Sequence, residues 1–342
     1  MDKYDHIYIK TIRQNIPLNA DIELTYKCNL KCLHCYHIKE SHGLPEMTFS
    51  QVTSVLDQLA EMGCLFITFT GGEVFLREDI FDVFEYARGK EFAFRVLTNG
   101  TLLDDEKISR LTGLNPLSVE ISLYSIDAMI HEKMTGVKGS YEKTIYAIKK
   151  LRKNNITVKI KGPVTDMNFA GFIKLKEEAA RMGCSTVFYP SVAPRLDRSR
   201  DTLSLNVSVG RLRELYKLSR DNINKVAQDR KRNGHEPLCT AGLNTMHISP
   251  DGDVYPCLML RHKCGNISSE PVAEIWNSDG FKKIRKTTVS DLKYCSDCGI
   301  SVYCNRCSGL AELETGDWLG KSERMCALAE ICRELAEEKE PV

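Results

Sequence analysis

The sequence predicts an α/β protein: a parallel sheet, open or closed into a partial barrel, over roughly residues 20–190, then a small cysteine-rich region. Three observations carry this. Between residues 20 and 190 short apolar runs alternate with longer amphipathic stretches, the pattern of strands that return through helices. After residue 235 the rhythm changes to short, turn-bounded runs with too few apolar residues for a large core. Finally, 14 cysteines gather at two places, three within residues 28–35 and eight between 239 and 326.

Taken in order, strands are expected over Asp21–Thr25, Leu65–Phe69, Phe92–Leu97, Leu117–Leu123, Thr157–Lys161 and Thr186–Tyr189. Helices fall between them near 49–62, 79–90, 104–112, 140–154 and 168–182. In such sheets the chemistry collects at the carboxyl ends of the strands. Residues 190–202 lose periodicity and read as a connecting loop, with Arg195, Arg198 and Arg200 on a solvated face. A polar helix follows over about 208–231. Thr245–Cys257 reads as a hairpin, because Pro250-Asp251-Gly252 supplies turn chemistry between two alternating runs. It is expected to cover the carboxyl edge of the sheet. A short helix (Val272–Trp276), the cysteine-dense stretch 295–307 and a terminal helix from about Glu323 complete the chain. The expected division is an extension over 1–19, a barrel over 20–205, a linking helix over 206–234 and a cysteine-rich domain over 235–342.

The balance of 47 basic against 46 acidic residues excludes a polyanion-binding tail or a field that would steer nucleic acid. No apolar run approaches the ~20 residues that span a bilayer. The charged start, Met1-Asp2-Lys3, has no apolar secretion core, so a cytoplasmic protein that engages neither membrane nor nucleic acid is expected. Reducing conditions argue against a disulfide framework and for metal or cluster ligation. Cys64, Cys184 and Cys332 sit in apolar or helical surroundings and read as ordinary buried thiols.

Cys28-x3-Cys32-x2-Cys35 follows directly on the first strand. Three thiolates leave a four-ligand site with one open position, which is the logic of a catalytic rather than a structural metal. Gly71-Gly72-Glu73 follows the second strand: glycines let a backbone come close, and the carboxylate can take an ammonium group. Asn99 after the third strand and Ser122 at the end of the fourth offer polar groups at the same edge.

This combination, with His34 as the aromatic-type residue before the last cysteine, resembles the radical S-adenosylmethionine (SAM) superfamily. The resemblance covers about residues 20–190 and implies a partial (β/α)6 barrel. Cys28, Cys32 and Cys35 would hold a 4Fe–4S cluster with one iron free to chelate SAM. Reductive cleavage of SAM would yield a 5′-deoxyadenosyl radical that abstracts a substrate hydrogen, with an electron donor such as flavodoxin or ferredoxin as partner. Gly71, Gly72 and Glu73 would hold the SAM ammonium, and Asn99 and Ser122 the rest of the cofactor.

The second group, Cys295-x2-Cys298-x5-Cys304-x2-Cys307, has Cys239, Cys257, Cys264 and Cys326 around it. Eight cysteines suffice for two four-cysteine sites, and on spacing alone zinc fits. With the first half of the chain in view, the run resembles the SPASM domain. That pattern is Cys, Gly-x4-Cys, Cys-x2-Cys-x5-Cys-x3-Cys and a last Cys, met here by Cys239, Gly252-x4-Cys257, the 295–307 run and Cys326. The gap before Cys307 is two residues rather than three. The resemblance implies two auxiliary Fe–S clusters of the 4Fe–4S kind. Cys295, Cys298, Cys304 and Cys326 would serve the outer one, and Cys239, Cys257 and Cys307 the inner one. Cys264 is either the fourth inner ligand, the reading favoured here, or a bystander that leaves an iron open.

The leading function is therefore radical modification of a ribosomally made peptide, by a thioether or carbon–carbon crosslink or a related change. Only about 20 residues precede the first strand, so a separate leader-binding protein is expected as partner. The alternative is a small-molecule or cofactor pathway such as tetrapyrrole propionate decarboxylation. Sulfatase maturation ranks lower, because Leu258 rather than an acid follows Cys257. A non-enzymatic Fe–S scaffold would have no use for the Gly-Gly-Glu feature. No catalytic base is assigned, and Tyr36, Tyr124, His247 and Tyr255 read as packing residues.

Overall fold

The computed structural model describes residues 3–37, 43–217 and 235–338. Strands β1 (Asn19–Glu23), β2 (Phe66–Thr70), β3 (Ala93–Thr98), β4 (Ser118–Ser122), β5 (Val158–Pro163) and β6 (Ser185–Tyr189) lie side by side, all parallel and in chain order. Helices α1 (Lys3–Gln14), α2 (Phe49–Glu61), α3 (Ile80–Gly89), α4 (Asp105–Leu114), α5 (Ala128–Thr135), α6 (Ser140–Lys153) and α7 (Phe172–Arg181) precede or connect them. All six expected strands are present.

The sheet has two unlike faces because strand side chains alternate with period two. Ala20, Ile22, Ile67, Phe69, Val96, Val119, Ile121, Val158 and Ile160 are fully buried in the main core with Val52, Leu56, Val83, Phe84, Leu111 and Ile148 from the helices. The intervening positions, Asp21, Thr68, Arg95 and Lys161, lie on the opposite face within one another's electrostatic reach. There Lys161 Nζ is 2.7 Å from Glu120 Oε2. Parallel sheets normally bury apolar residues on both faces; here the second face is a charged lumen.

Two helices of the barrel half were not anticipated, and neither were the strand at 265–266 and the helices at 279–286 and 308–315 described below. The expected N-terminal extension contains α1, whose Thr11 hydroxyl meets Asn244 Nδ2 at 3.2 Å. The loop after β4 contains α5, which buries only His131, Met134 and Thr135 and so shows a thin apolar stripe. Its signals were in its ends: Asp127 accepts from the Met129 and Ile130 amides, and Gly136 closes it in the left-handed conformation.

The hairpin is present but lies elsewhere than expected. Strand β7 (Thr245–Ile248) pairs in parallel with β1, and β8 (Asp253–Tyr255) and β9 (Gly265–Asn266) continue antiparallel. The hairpin thus extends the sheet sideways to nine strands. Only its turn reaches the carboxyl edge, where Tyr26 donates to Asp251 Oδ1 at 2.9 Å. Helix α8 (Val209–Lys217) precedes this hairpin, and α9 (Val272–Trp276), α10 (Asp279–Lys286), α11 (Ser308–Thr315) and α12 (Glu323–Glu337) follow it. The expected polar helix is seen as α8, and residues 218–234 of the linking segment lie outside the described residues. A second, smaller core joins Phe172, Leu212, Leu310, Leu328 and Leu335. No helix among the described residues is long and apolar enough to cross a membrane.

Candidate active site

The loop that carries Cys28, Cys32 and Cys35 leaves the end of β1 and is gripped from three sides. From α5, the Thr135 and Met134 carbonyls accept from the Lys31 and Leu33 amides at 2.8 and 3.0 Å. From β3, Asn99 Nδ2 donates to Asn29 Oδ1 at 2.9 Å, while Asn29 Nδ2 donates to Thr101 at 2.8 Å. From the 190–202 loop, Arg195 Nη1 donates to the Cys35 carbonyl at 2.6 Å and is itself held by Asp201. Arg195 is 8% exposed, so the expectation of a solvated face fails for it. A guanidinium with this many acceptors is fixed by the fork geometry of its donors.

Burial, with Cys35 adding to it, pushes the Cys28 thiol up to about 11 and the Cys32 thiol up to about 12. Three thiols in mutual reach favour a bound centre whose positive charge offsets their repulsion as thiolates. Among the described residues no three His, Cys, Asp or Glu side chains converge as one small metal ion requires. Three cysteines that leave one position open suit an iron–sulfur centre held by thiolates.

Gly71 and Gly72 prove to be spacers between two backbones. A Cβ on Gly71 would lie 2.5 Å from the Thr25 carbonyl, and one on Gly72 would lie 2.2 Å from the Lys27 carbonyl. The Gly72 and Glu73 amides donate to those same carbonyls at 2.8 Å. Glu73 is 0% exposed. Its Oε1 accepts from Thr98 Oγ1 (2.7 Å) and the Phe75 amide (3.2 Å), and its Oε2 from the Asn99 amide (2.8 Å). Burial raises its pKa against these bonds. A carboxylate offers about four acceptor positions, so one remains. Asn99 sits beside it, with Oδ1 taken by Thr101, and Ser122 bonds the Tyr124 hydroxyl near Cys32. All five expected cofactor residues therefore lie at or beside the carboxyl ends of β2, β3 and β4.

A buried polar knot at the end of β1 was not anticipated. Glu23 is 0% exposed; Tyr36 donates to its Oε1 at 3.2 Å, His37 Nε2 lies 3.3 Å from Oε1 and His247 Nε2 lies 3.1 Å from Oε2. Burial opposes the charge, but His37 and His247 outweigh it and hold Glu23 below the usual carboxylate range. The visible signal was Asp21 and Glu23 at alternate positions of a strand, which marks a polar face.

Beyond the barrel, Cys239, Cys257 and Cys307 come within one another's reach. Cys307 caps α11, its thiol accepting from the Leu310 amide at 3.4 Å. Residue 308, next to it, is a serine bonded by Arg306. Cys264 is not brought to this trio: its thiol donates to the His262 carbonyl at 3.3 Å and faces Arg285. Cys295 and Cys298 come within reach of Cys326, while Cys304 adjoins the buried Cys332. Cys64, Cys184 and Cys332 are buried.

Comparison with known proteins agrees with this geometry. The family model of the radical SAM superfamily matches residues 22–179, and that of the SPASM iron-sulfur cluster-binding domain matches 239–299. The chain is similar to the antilisterial bacteriocin subtilosin biosynthesis protein AlbA of Bacillus subtilis (strain 168), at 30% identity over 85% of this chain and 67% of that protein. It is similar to the AdoMet-dependent heme synthase of Methanosarcina barkeri at 28% identity over 89% of this chain and 95% of that one. Among solved structures, Streptococcus suis SuiB bound to its precursor peptide SuiA superposes with a TM-score of 0.72 at 17% identity, covering 95% of this chain and 80% of that one.

Proposed function

Because the chain belongs to the radical SAM superfamily and carries a SPASM iron–sulfur domain, we propose that it modifies a ribosomally made peptide by hydrogen abstraction. As a member of that family it is an enzyme that uses a 4Fe–4S cluster and SAM, with auxiliary Fe–S clusters in the SPASM region. When bound, the cluster and SAM supply the electron and the 5′-deoxyadenosyl radical for that abstraction.

The chain's own residues divide the remaining work. Cys28, Cys32 and Cys35 hold the SAM-binding cluster, and α5, Asn29 and Arg195 keep their loop in place. Glu73, with one acceptor position left, and the main chain of Gly71 and Gly72 receive the SAM ammonium; Asn99 and Ser122 line the adjoining edge. Cys239, Cys257 and Cys307 would hold the inner auxiliary cluster, and Cys264, which faces Arg285, would not be among its ligands. Cys295, Cys298, Cys304 and Cys326 would hold the outer one, and the auxiliary centres would supply a place for an electron taken from the substrate. A leader-binding protein and a flavodoxin- or ferredoxin-type donor complete the set of partners.

The observation that carries the peptide reading is the 30% identity to a bacteriocin biosynthesis protein across 85% of the chain. The heme synthase likeness, which spans 95% of that relative, favours tetrapyrrole decarboxylation as the second reading. Anaerobic incubation of reduced enzyme with SAM and precursor peptides encoded beside it decides between them. The expected result is 5′-deoxyadenosine together with a peptide lighter by two hydrogen atoms. Turnover of a tetrapyrrole propionate, with every peptide unchanged, would overturn it.

A further inference from the structure

Arg261 lies where the two thiol-bearing halves of the molecule meet. It follows Cys257 by four residues, and its amide donates to Glu312 of α11, the helix that Cys307 caps. Its guanidinium stacks on the Tyr255 ring, 3.8 Å from the centroid. The same group acts electrostatically on Glu23, Tyr36 and His37, which stand at the end of β1 and beside Cys35. The head group therefore lies in the region between the Cys28–Cys35 loop and the segment that carries Cys257.

Its Nη1 is buried and has no hydrogen-bond partner among the described residues. Glu23, the nearest anion in that group, does not satisfy it, because its oxygens are taken by Tyr36 and flanked by the two histidines. A second buried polar atom is left open in the same knot: His247 Nδ1 has no partner, although the residue is 0% exposed. Arginine stays charged in proteins, so it cannot escape the cost of burial by losing its proton. A neutral carbonyl would satisfy the hydrogen bond but not the charge; a carboxylate satisfies both and matches the planar fork.

We propose that Arg261 anchors a carboxylate of the substrate in this region, with Tyr255 as its platform, which makes an acidic residue near the modified position part of the recognised peptide. The inference rests on the peptide-modifying function proposed above. Its test uses small probes, so that it can fail separately from the peptide assignment. Calorimetric titration of anaerobic, cluster-loaded enzyme with N-acetyl-glutamate methylamide, and with its glutamine counterpart, compares the wild type with Arg261→Gln and Arg261→Lys. The wild type should prefer the acid about 10-fold, equivalent to about 1.4 kcal/mol. Arg261→Gln should lose that preference with its iron content intact, and Arg261→Lys should keep part of it. Equal binding of acid and amide by the wild type, or an undiminished preference in Arg261→Gln, overturns the proposal. Loss of iron in both variants would instead make Arg261 a support of the inner cluster and overturn it as well. A wild type that prefers the acid yet modifies no peptide would refute the peptide assignment alone.

Discussion

At the scale of single residues, the site is built from side chains that hold backbone in place more than from side chains left free for a ligand. Glu73 shows this best. A surface carboxylate would be an obvious cofactor contact, but this one brackets the ends of β2 and β3 through three donors before any ligand arrives. Replacing it by alanine strands the Thr98 hydroxyl and the Phe75 and Asn99 amides. Unsatisfied buried groups cost about 1–3 kcal/mol each. Glu73→Ala should therefore lower the unfolding free energy by at least about 2 kcal/mol in urea titrations, besides weakening SAM binding. A variant as stable as the wild type would show that the bracket carries no stability. Arg195 belongs to the same class: its value is the carbonyl of Cys35 that it fixes and not its charge toward solvent.

At the scale of elements, α5 supports the cysteine loop from behind, and its one buried titratable group gives it a pH signature. His131 stacks on Tyr124, and its Nδ1 accepts from the Tyr124 amide at 3.3 Å. Burial lowers its pKa to about 4. Between the ordinary histidine value and about 4 the unfolded chain holds a proton that the folded one refuses, so stability falls as pH falls through that window. The slope reaches about 1.4 kcal/mol per pH unit. His131→Gln, which keeps an acceptor, should flatten the dependence of the urea midpoint between pH 6.5 and pH 4 relative to the wild type. Identical slopes in the two proteins would remove His131 from this role. Helix α11 makes the comparable contact on the other side, where a Cβ on Gly309 would sit 2.4 Å from the Met259 carbonyl carbon. Glycine is required there because two backbones touch.

At the scale of the whole molecule, the two parts are stabilised differently. The barrel has a continuous apolar layer between sheet and helices. The later part shares that layer through Met246, Ile248, Val254, Ile275 and Phe281, but its last stretch relies on a small second core and on thiols that come together without bonding one another. Where a site forms only in the folded state, the free energy of binding its metal is also free energy of folding. Stripping the clusters with a chelator and an oxidant should therefore expose the 289–306 and 316–322 stretches to protease while the barrel fragment survives. Limited proteolysis read by mass spectrometry follows it directly. Equal resistance of stripped and loaded protein at those stretches would count against thiol-bound clusters as the fastening.

The sequence by itself determined the fold class, the order of the six barrel strands and where the cysteine groups fall along them, because hydrophobic period and cysteine spacing are local quantities. The place of Cys28, Cys32 and Cys35 after β1, and of Gly71-Gly72-Glu73 after β2, followed from the same local pattern. Only the tertiary structure decided which groups meet across distance. It carried β7 to the side of β1, buried Arg195 against Cys35, turned Cys264 away from Cys239, Cys257 and Cys307, and gathered Tyr36, His37, His247 and Arg261 around Glu23. These outcomes depend on strand pairing and on the desolvation of polar groups from distant segments. Both are set by how the whole chain packs, and neither has a period that a stretch of sequence can display.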